Sequence, residues 1–176
     1  TKYPVYVDPT ITNNSQSTSL QDTYIFPGDT GIDRNSHPIL KAGVEKVNGV
    51  DRVNRTLIKF DLPEIGTGSE IIGAYLTLTG YPSYSAHETG NKLVTMHRIT
   101  QDWNETTATW EQMNNKYDSR VESIYYGGRS YITVDSEAEL VIVPTHGLYD
   151  GDITNLVKKW YKDTKNYGLL LKSAKE

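Results

Sequence analysis

Thr56-Leu57-Ile58-Lys59-Phe60-Asp61-Leu62 sets Ile58, Phe60 and Leu62 on one side of an extended chain and Lys59 and Asp61 on the other. Successive side chains of a strand point to opposite faces, so this alternation has the period of a half-buried β-strand. Ala74, Leu76 and Leu78 repeat it against Tyr75, Thr77 and Thr79. Further strands are predicted at Leu20 to Phe26, Ile39 to Val44, Lys92 to Thr100, Leu140 to Val143 and Gly168 to Leu171. Two more, Ser123 to Tyr126 and Arg129 to Val134, flank Gly127-Gly128, a two-residue hairpin signal. Many short strands separated by polar turns predict an all-β sandwich or barrel.

One helix is predicted at about 153–162. Ile153, Leu156, Val157 and Trp160 fall at i, i+3, i+4 and i+7, a single apolar stripe. Asp152 stands where an N-cap belongs, and Lys158, Lys159 and Lys162 stand toward the C-terminal end, where the helix dipole favours cations. Such a helix would close one end of the sandwich, with Trp160 as the plug. Residues 1–19 read as a lead-in: an edge strand around Tyr3-Pro4-Val5-Tyr6-Val7, then a polar linker from Thr10 to Ser19. Residues 20–176 read as a single domain.

Composition agrees with this class and narrows the function. The 176 residues suffice for one domain with a full core. Thirteen Tyr against two Phe favour strands with wet surfaces. A net charge of −4 supplies no general basic face for phosphate, so nucleic acid is not an expected partner. No apolar run approaches the roughly 20 residues that span a bilayer, so membrane insertion is not expected. Without Cys there are no disulfides, thiolate metal sites or thiol nucleophiles. The chain begins at Thr1 without Met or signal peptide, as a mature or excised fragment would.

The order and spacing of several segments point further. Tyr3-Pro4-Val5-Tyr6-Val7-Asp8-Pro9-Thr10 precedes Gln21-Asp22-Thr23-Tyr24-Ile25. Then follow Arg55 to Pro63, Ala74-Tyr75-Leu76-Thr77-Leu78, and His97-Arg98-Ile99-Thr100-Gln101-Asp102-Trp103-Asn104-Glu105-Thr106-Thr107-Ala108-Thr109-Trp110. Asp152 to Trp160 and Asn166 to Lys172 close the series. This resembles the DNRLRE-type domain named for disaggregatase-related proteins, as found near the N-terminus of bacterial wall-associated proteins with RHS/YD repeats. The resemblance implies a jelly-roll fold akin to carbohydrate-binding modules. It also implies a secreted, wall-associated location, polysaccharide or cell-wall glycan as partner, and a monomeric domain within a larger chain. This chain departs from the pattern after Trp110, where Glu111-Gln112-Met113-Asn114-Asn115 stands in place of an early Pro.

Trp103 and Trp110 belong to the fold-wide pattern, so a core role is favoured over sugar stacking. Loop aromatics are better ligand candidates, because loops carry function more often than scaffolds do. Tyr81, Tyr84 and His87 form one set, and Tyr117, Tyr125 and Tyr126 a second. Asp22, Asp29, Asp33 and Asn35, in and near the loop 27–38, offer oxygen ligands for a structural Ca2+, although Asp and Asn are also ordinary turn residues. Catalysis has little support. His37, His87, His97 and His146 lack metal-site spacing, and Glu137 and Glu139 share a polar turn. The expected function is therefore a non-catalytic module binding glycan at the cell surface. The alternatives are a structural spacer of an adhesin or contact-dependent toxin and, less favoured, a glycan-active enzyme.

Overall fold

The computed structural model describes residues 20–29, 39–80, 90–113, 135–143 and 145–176, together with the backbone of 4–9 and 81. The strands among them are β1 (Pro4–Pro9), β2 (Leu20–Ile25), β3 (Leu40–Val47), β4 (Val50–Phe60), β5 (Tyr75–Tyr81), β6 (Lys92–Arg98), β7 (Ala138–Ile142), β8 (Gly147–Asp152) and β9 (Leu169–Ser173). The helix α1 (Thr154–Lys162) lies between β8 and β9. All the pairings are antiparallel. One sheet runs β4-β3-β1-β5-β8 and the other runs β2-β4-β9-β6-β7, so β4 belongs to both. Among the described residues the fold is the predicted all-β sandwich with one short helix.

β4 joins the sheets by changing partners along its length. β3 pairs with Val50 to Asn54, and from Arg55 onward β2 takes over on β4, with β9 pairing at Thr56 to Ile58. The β3–β4 hairpin turns at Asn48 (φ 50°) and Gly49 (φ 81°). Positive φ at both residues suits a turn whose twist matches its strands, and Asn-Gly reaches it cheaply. This dipeptide marks the hairpin in the sequence, yet the alternation starting at Thr56 predicted a shorter strand.

The core between the sheets draws Leu40, Ala42, Leu76 and Leu78 from one sheet and Ile58, Val94, Met96, Leu140, Leu169 and Leu171 from the other. Fully burying each such side chain contributes about 1.5–3 kcal/mol. Two glycines allow close approach. A Cβ on Gly151 would sit 2.6 Å from Met96 Cε, and one on Gly80 would sit 2.6 Å from the Tyr149 ring. α1 closes an end of this core with Leu156, Val157 and Trp160, and Trp160 meets Phe60 edge-on at 6.0 Å.

Several expectations are corrected. β1 is not an edge strand: Val5 to Val7 pair with β3 and Tyr6 to Pro9 pair with β5, which puts it inside the sheet. Its two prolines sit at its ends, so the missing N–H groups spare the middle of the ladder. The N-cap of α1 is Ile153 rather than Asp152, because the Ile153 carbonyl accepts the first intrahelical bond, from the Val157 N–H at 2.9 Å. Asp152 still serves the helix start, accepting the Thr154 N–H at 2.9 Å. Glu139 lies in β7, not in a turn. β8, absent from the predicted strands, is an ordinary member of the first sheet. Ser123 to Val134, with its Gly127-Gly128 turn, lies outside the described residues.

β4 is also buried on both faces at its centre. Arg55, Thr56, Leu57 and Ile58 are all inaccessible to solvent, where alternation implied one wet side. The segment 99–113 covers the outer side with a second apolar layer of Ile25, Leu57, Ile99, Trp103, Trp110, Met113 and Leu170.

Candidate functional site

The outer layer settles the two tryptophans of the 103–110 segment. Local hydrogen bonds shape it: Ala108 N–H donates to Asn104 O, and the Thr109 hydroxyl accepts the Gln112 N–H. Glu105 and Glu111 tie it to β2 and the turn that follows by accepting the Asp22 and Gly28 N–H groups, each at 3.3 Å. Trp103 and Trp110 are then buried in the outer apolar layer against the sheet, 7% and 2% exposed. Trp103 Nε1 donates to Tyr167 O at 2.8 Å, and the Lys59 ammonium stands over its ring. Lys59 also bonds Asp102, and that hydrogen bond is the chief reason the Asp102 carboxyl is held below the ordinary carboxylate range. The Arg55 guanidinium stacks over Trp110 at 4.7 Å. These rings are structural, as the sequence favoured, and neither is open to stack on a sugar.

His97 is likewise part of the frame, buried with Nε2 3.1 Å from Thr95 Oγ1. Glu137 is held by Lys159 at 2.7 Å and Arg98 at 3.6 Å, which fastens α1 to the segment before β7.

Tyr81 is the last residue of β5, in register with Tyr6 of β1. Tyr84, His87, Tyr117, Tyr125 and Tyr126 lie outside the described residues. Of the proposed calcium ligands, Asp22 is in mid-β2 opposite Ile58, and Asp29 is buried in the turn beyond it. Asp33 and Asn35 lie outside the described residues. Two carboxylates fall short of the six to eight oxygens calcium takes, and no group of three or more His, Asp or Glu is placed to hold a metal among the described residues.

The structure does create one open face that the sequence did not single out. β5 presents Tyr75, Thr77 and Thr79 outward, because Leu76, Leu78 and Gly80 face the core. β8 pairs with it in the register Tyr75–Asp152, Thr77–Asp150 and Thr79–Leu148. Directly opposed residues share a face about 5 Å apart. Tyr75 is 65% exposed and Leu148 70%. Thr77 Oγ1 donates to Asp150 Oδ1 at 2.6 Å, which fixes that carboxylate against the sheet. Hydrogen bonds from the Thr154 hydroxyl and N–H hold the Asp152 carboxyl below its ordinary range. The Tyr75 ring lies back over Gly73, where an added Cβ would come within 3.2 Å of Cε2. The outward half of the β5 alternation was legible. Its partner strand was not, because Gly147-Leu148-Tyr149-Asp150-Gly151-Asp152 carries four weak strand formers.

No helix among the described residues is long and apolar enough to cross a membrane. Among known protein families, the one described as carbohydrate-binding module family 96 matches residues 13–139. No curated protein and no solved structure matches the chain.

Proposed function

The chain belongs to carbohydrate-binding module family 96, and from that premise we propose that it is a non-catalytic module which attaches a larger, secreted, wall-associated protein to polysaccharide or cell-wall glycan. The family match over most of the chain carries this reading. The resemblance to DNRLRE-type domains of RHS/YD-repeat proteins supports the wall-associated setting. The absence of chemistry is supported by how the candidate acid–base groups are used, since Glu137 braces α1 and His97 packs in a strand.

Retention of the purified chain on insoluble polysaccharides and on wall preparations tests the proposal. Failure to bind any of them refutes it, and turnover of a bound glycan would refute the non-catalytic part. A structural Ca2+ in the loop 27–38 belongs to the same proposal, supported by the oxygen chemistry of Asp29, Asp33 and Asn35. An ion that binds only the folded state must raise its stability, so a melting temperature indifferent to both CaCl2 and EDTA removes the calcium.

A further inference from the structure

We propose that β1 is an exchangeable strand, and that the slot it fills between β3 and β5 accepts the β1 of a second copy of this chain, so that two copies trade strands and form a dimer. This names a partner for the module and stands apart from its glycan reading.

β1 is inserted between strands that hold other partners without it. β3 is paired with β4, and β5 with β8. Among the described strands β1 alone joins these two halves of the sheet, because β3 and β5 each pair with β1 and not with each other. It comes first in the element order, and every other strand is reached through residues 10–19, so it can leave its slot without drawing another strand out. Its departure breaks little. Tyr6 and Val7 are the only residues of β1 paired on both sides. The prolines at its two ends have no N–H to give. An opening confined to one such element costs less than global unfolding. The family match draws the same line. Residues 13–139 contain β3 and β5, which form the slot, but not β1, which fills it.

An emptied slot invites a strand. It presents the backbone groups of β3 and β5 on two facing edges, and an open edge pairs with a strand that fits. The sequence of β1 fits, since Val5 and Val7 stand in register with Ala42 and Leu40, two residues of the core between the sheets. A β1 from a second copy makes the same pairs, so exchange loses no contact. The linker is long enough. The ten residues Thr10 to Ser19 reach at most about 35 Å when extended, and a domain of this size has a radius of gyration of about 15 Å. Concentration then decides between the two forms. A short linker holds its own strand at an effective concentration of about 1 mM. Closed monomers therefore dominate in dilute solution, and exchanged dimers rise as the protein approaches that concentration. Reciprocal exchange fills both slots and leaves none for a third copy.

Cysteine pairs test this in the full chain, which has no cysteine of its own. Asp8 and Thr79 are direct partners across β1 and β5. The Cα separation of such partners, about 4.5–5.5 Å, admits a disulfide. Chains carrying Asp8→Cys and chains carrying Thr79→Cys, told apart by a tag, are mixed at protein concentrations from about 10 μM to about 1 mM, oxidised, and separated on non-reducing gels. The expected result is a covalent heterodimer whose yield rises at least severalfold over that range. Asp8→Cys mixed with Val50→Cys sets the background from chance collision, because Val50 is the more exposed site and lies at the β3–β4 hairpin, away from β5. The double variant Asp8→Cys with Thr79→Cys, oxidised at the dilute end, should close within single chains.

Heterodimer above the Val50 background supports exchange, whether or not the double variant also closes. Closure of the double variant without heterodimer shows a strand that never leaves its own chain, and overturns the exchange. Neither closure nor heterodimer overturns the place of β1 in the slot, and the inference with it.

Discussion

Replacing Glu176 with Ala should cost this fold more than replacing most surface residues, although Glu176 is the last residue of the sequence. Its side chain is 3% exposed and that of Arg55 is 1%, and Arg55 Nε donates to Glu176 Oε1 at 3.1 Å. Lys172 reaches the same oxygen at 3.3 Å. Arg55 also stacks on Trp110, so the ion pair sits beneath the apolar layer that the 99–113 segment lays over β4. Removing the carboxylate takes from the buried Arg55 guanidinium a counter-charge that Lys172 shares. Breaking a buried pair by removing one partner costs about 3–5 kcal/mol. The Trp110 ring still shields part of the guanidinium charge, which places the expectation near the lower end, at about 3 kcal/mol. For a domain of this size each kcal/mol moves the melting temperature by about 2–4 °C, so the predicted fall is roughly 6–12 °C, read by thermal unfolding followed through circular dichroism. The double variant Arg55→Met with Glu176→Met should recover much of the loss, since replacing both charges with apolar groups removes their desolvation cost. A fall below about 2 °C for Glu176→Ala, or a double variant less stable than the single one, would refute the account of this pair.

Three further outcomes follow from the same structure. Trp103→Ala and Trp110→Ala should each destabilise the domain by about 3–5 kcal/mol, the usual cost of deleting a buried aromatic ring, while retention on polysaccharide per folded molecule stays as it was. Gly168 has φ +85°, and a Cβ there would sit 2.1 Å from Ile58 O. Gly168→Ala should therefore cost on the order of 3 kcal/mol or more through backbone strain and displacement of β4, visible in the midpoint of urea unfolding. For Glu45, burial works to raise the carboxyl, but hydrogen bonds and charge from Arg52 and Lys41 outweigh it and hold the group below its ordinary 4.5. A carboxylate depressed in the folded state contributes stability above its unfolded value and loses it as pH falls through the folded one. Wild-type stability should therefore drop faster than that of Glu45→Gln as pH is lowered from about 4.5, measured as urea midpoints across that range. Parallel acid limbs would exclude Glu45 from the effect.

Much of this frame can be read from single residues. The outward and inward sides of β5 follow from Leu76 and Leu78 against Tyr75, Thr77 and Thr79, because strand alternation is a property of the local backbone. The stripe of α1 and the buried fate of Trp160 follow equally locally from the 3.6-residue period. The Asn48-Gly49 turn was available on the same terms. Trp103 and Trp110 could be assigned to structure because they fall within a pattern that runs through the whole fold.

Other features depend on partners far away in sequence. β1 is internal because β3 and β5 flank it, and nothing in Pro4-Val5-Tyr6-Val7-Asp8-Pro9 says which strands those are. β4 is buried on both faces because the 99–113 segment comes to lie on it, so Arg55 ends in a dry site that its own neighbours in sequence would leave wet. The open face of β5 and β8 joins Thr77 to Asp150 across 73 residues of chain. Local alternation determined which way Tyr75 points. Only the tertiary pairing of β5 with β8 decided that two carboxylates stand beside it, because a β-sheet takes its neighbours from strand register rather than from order along the chain.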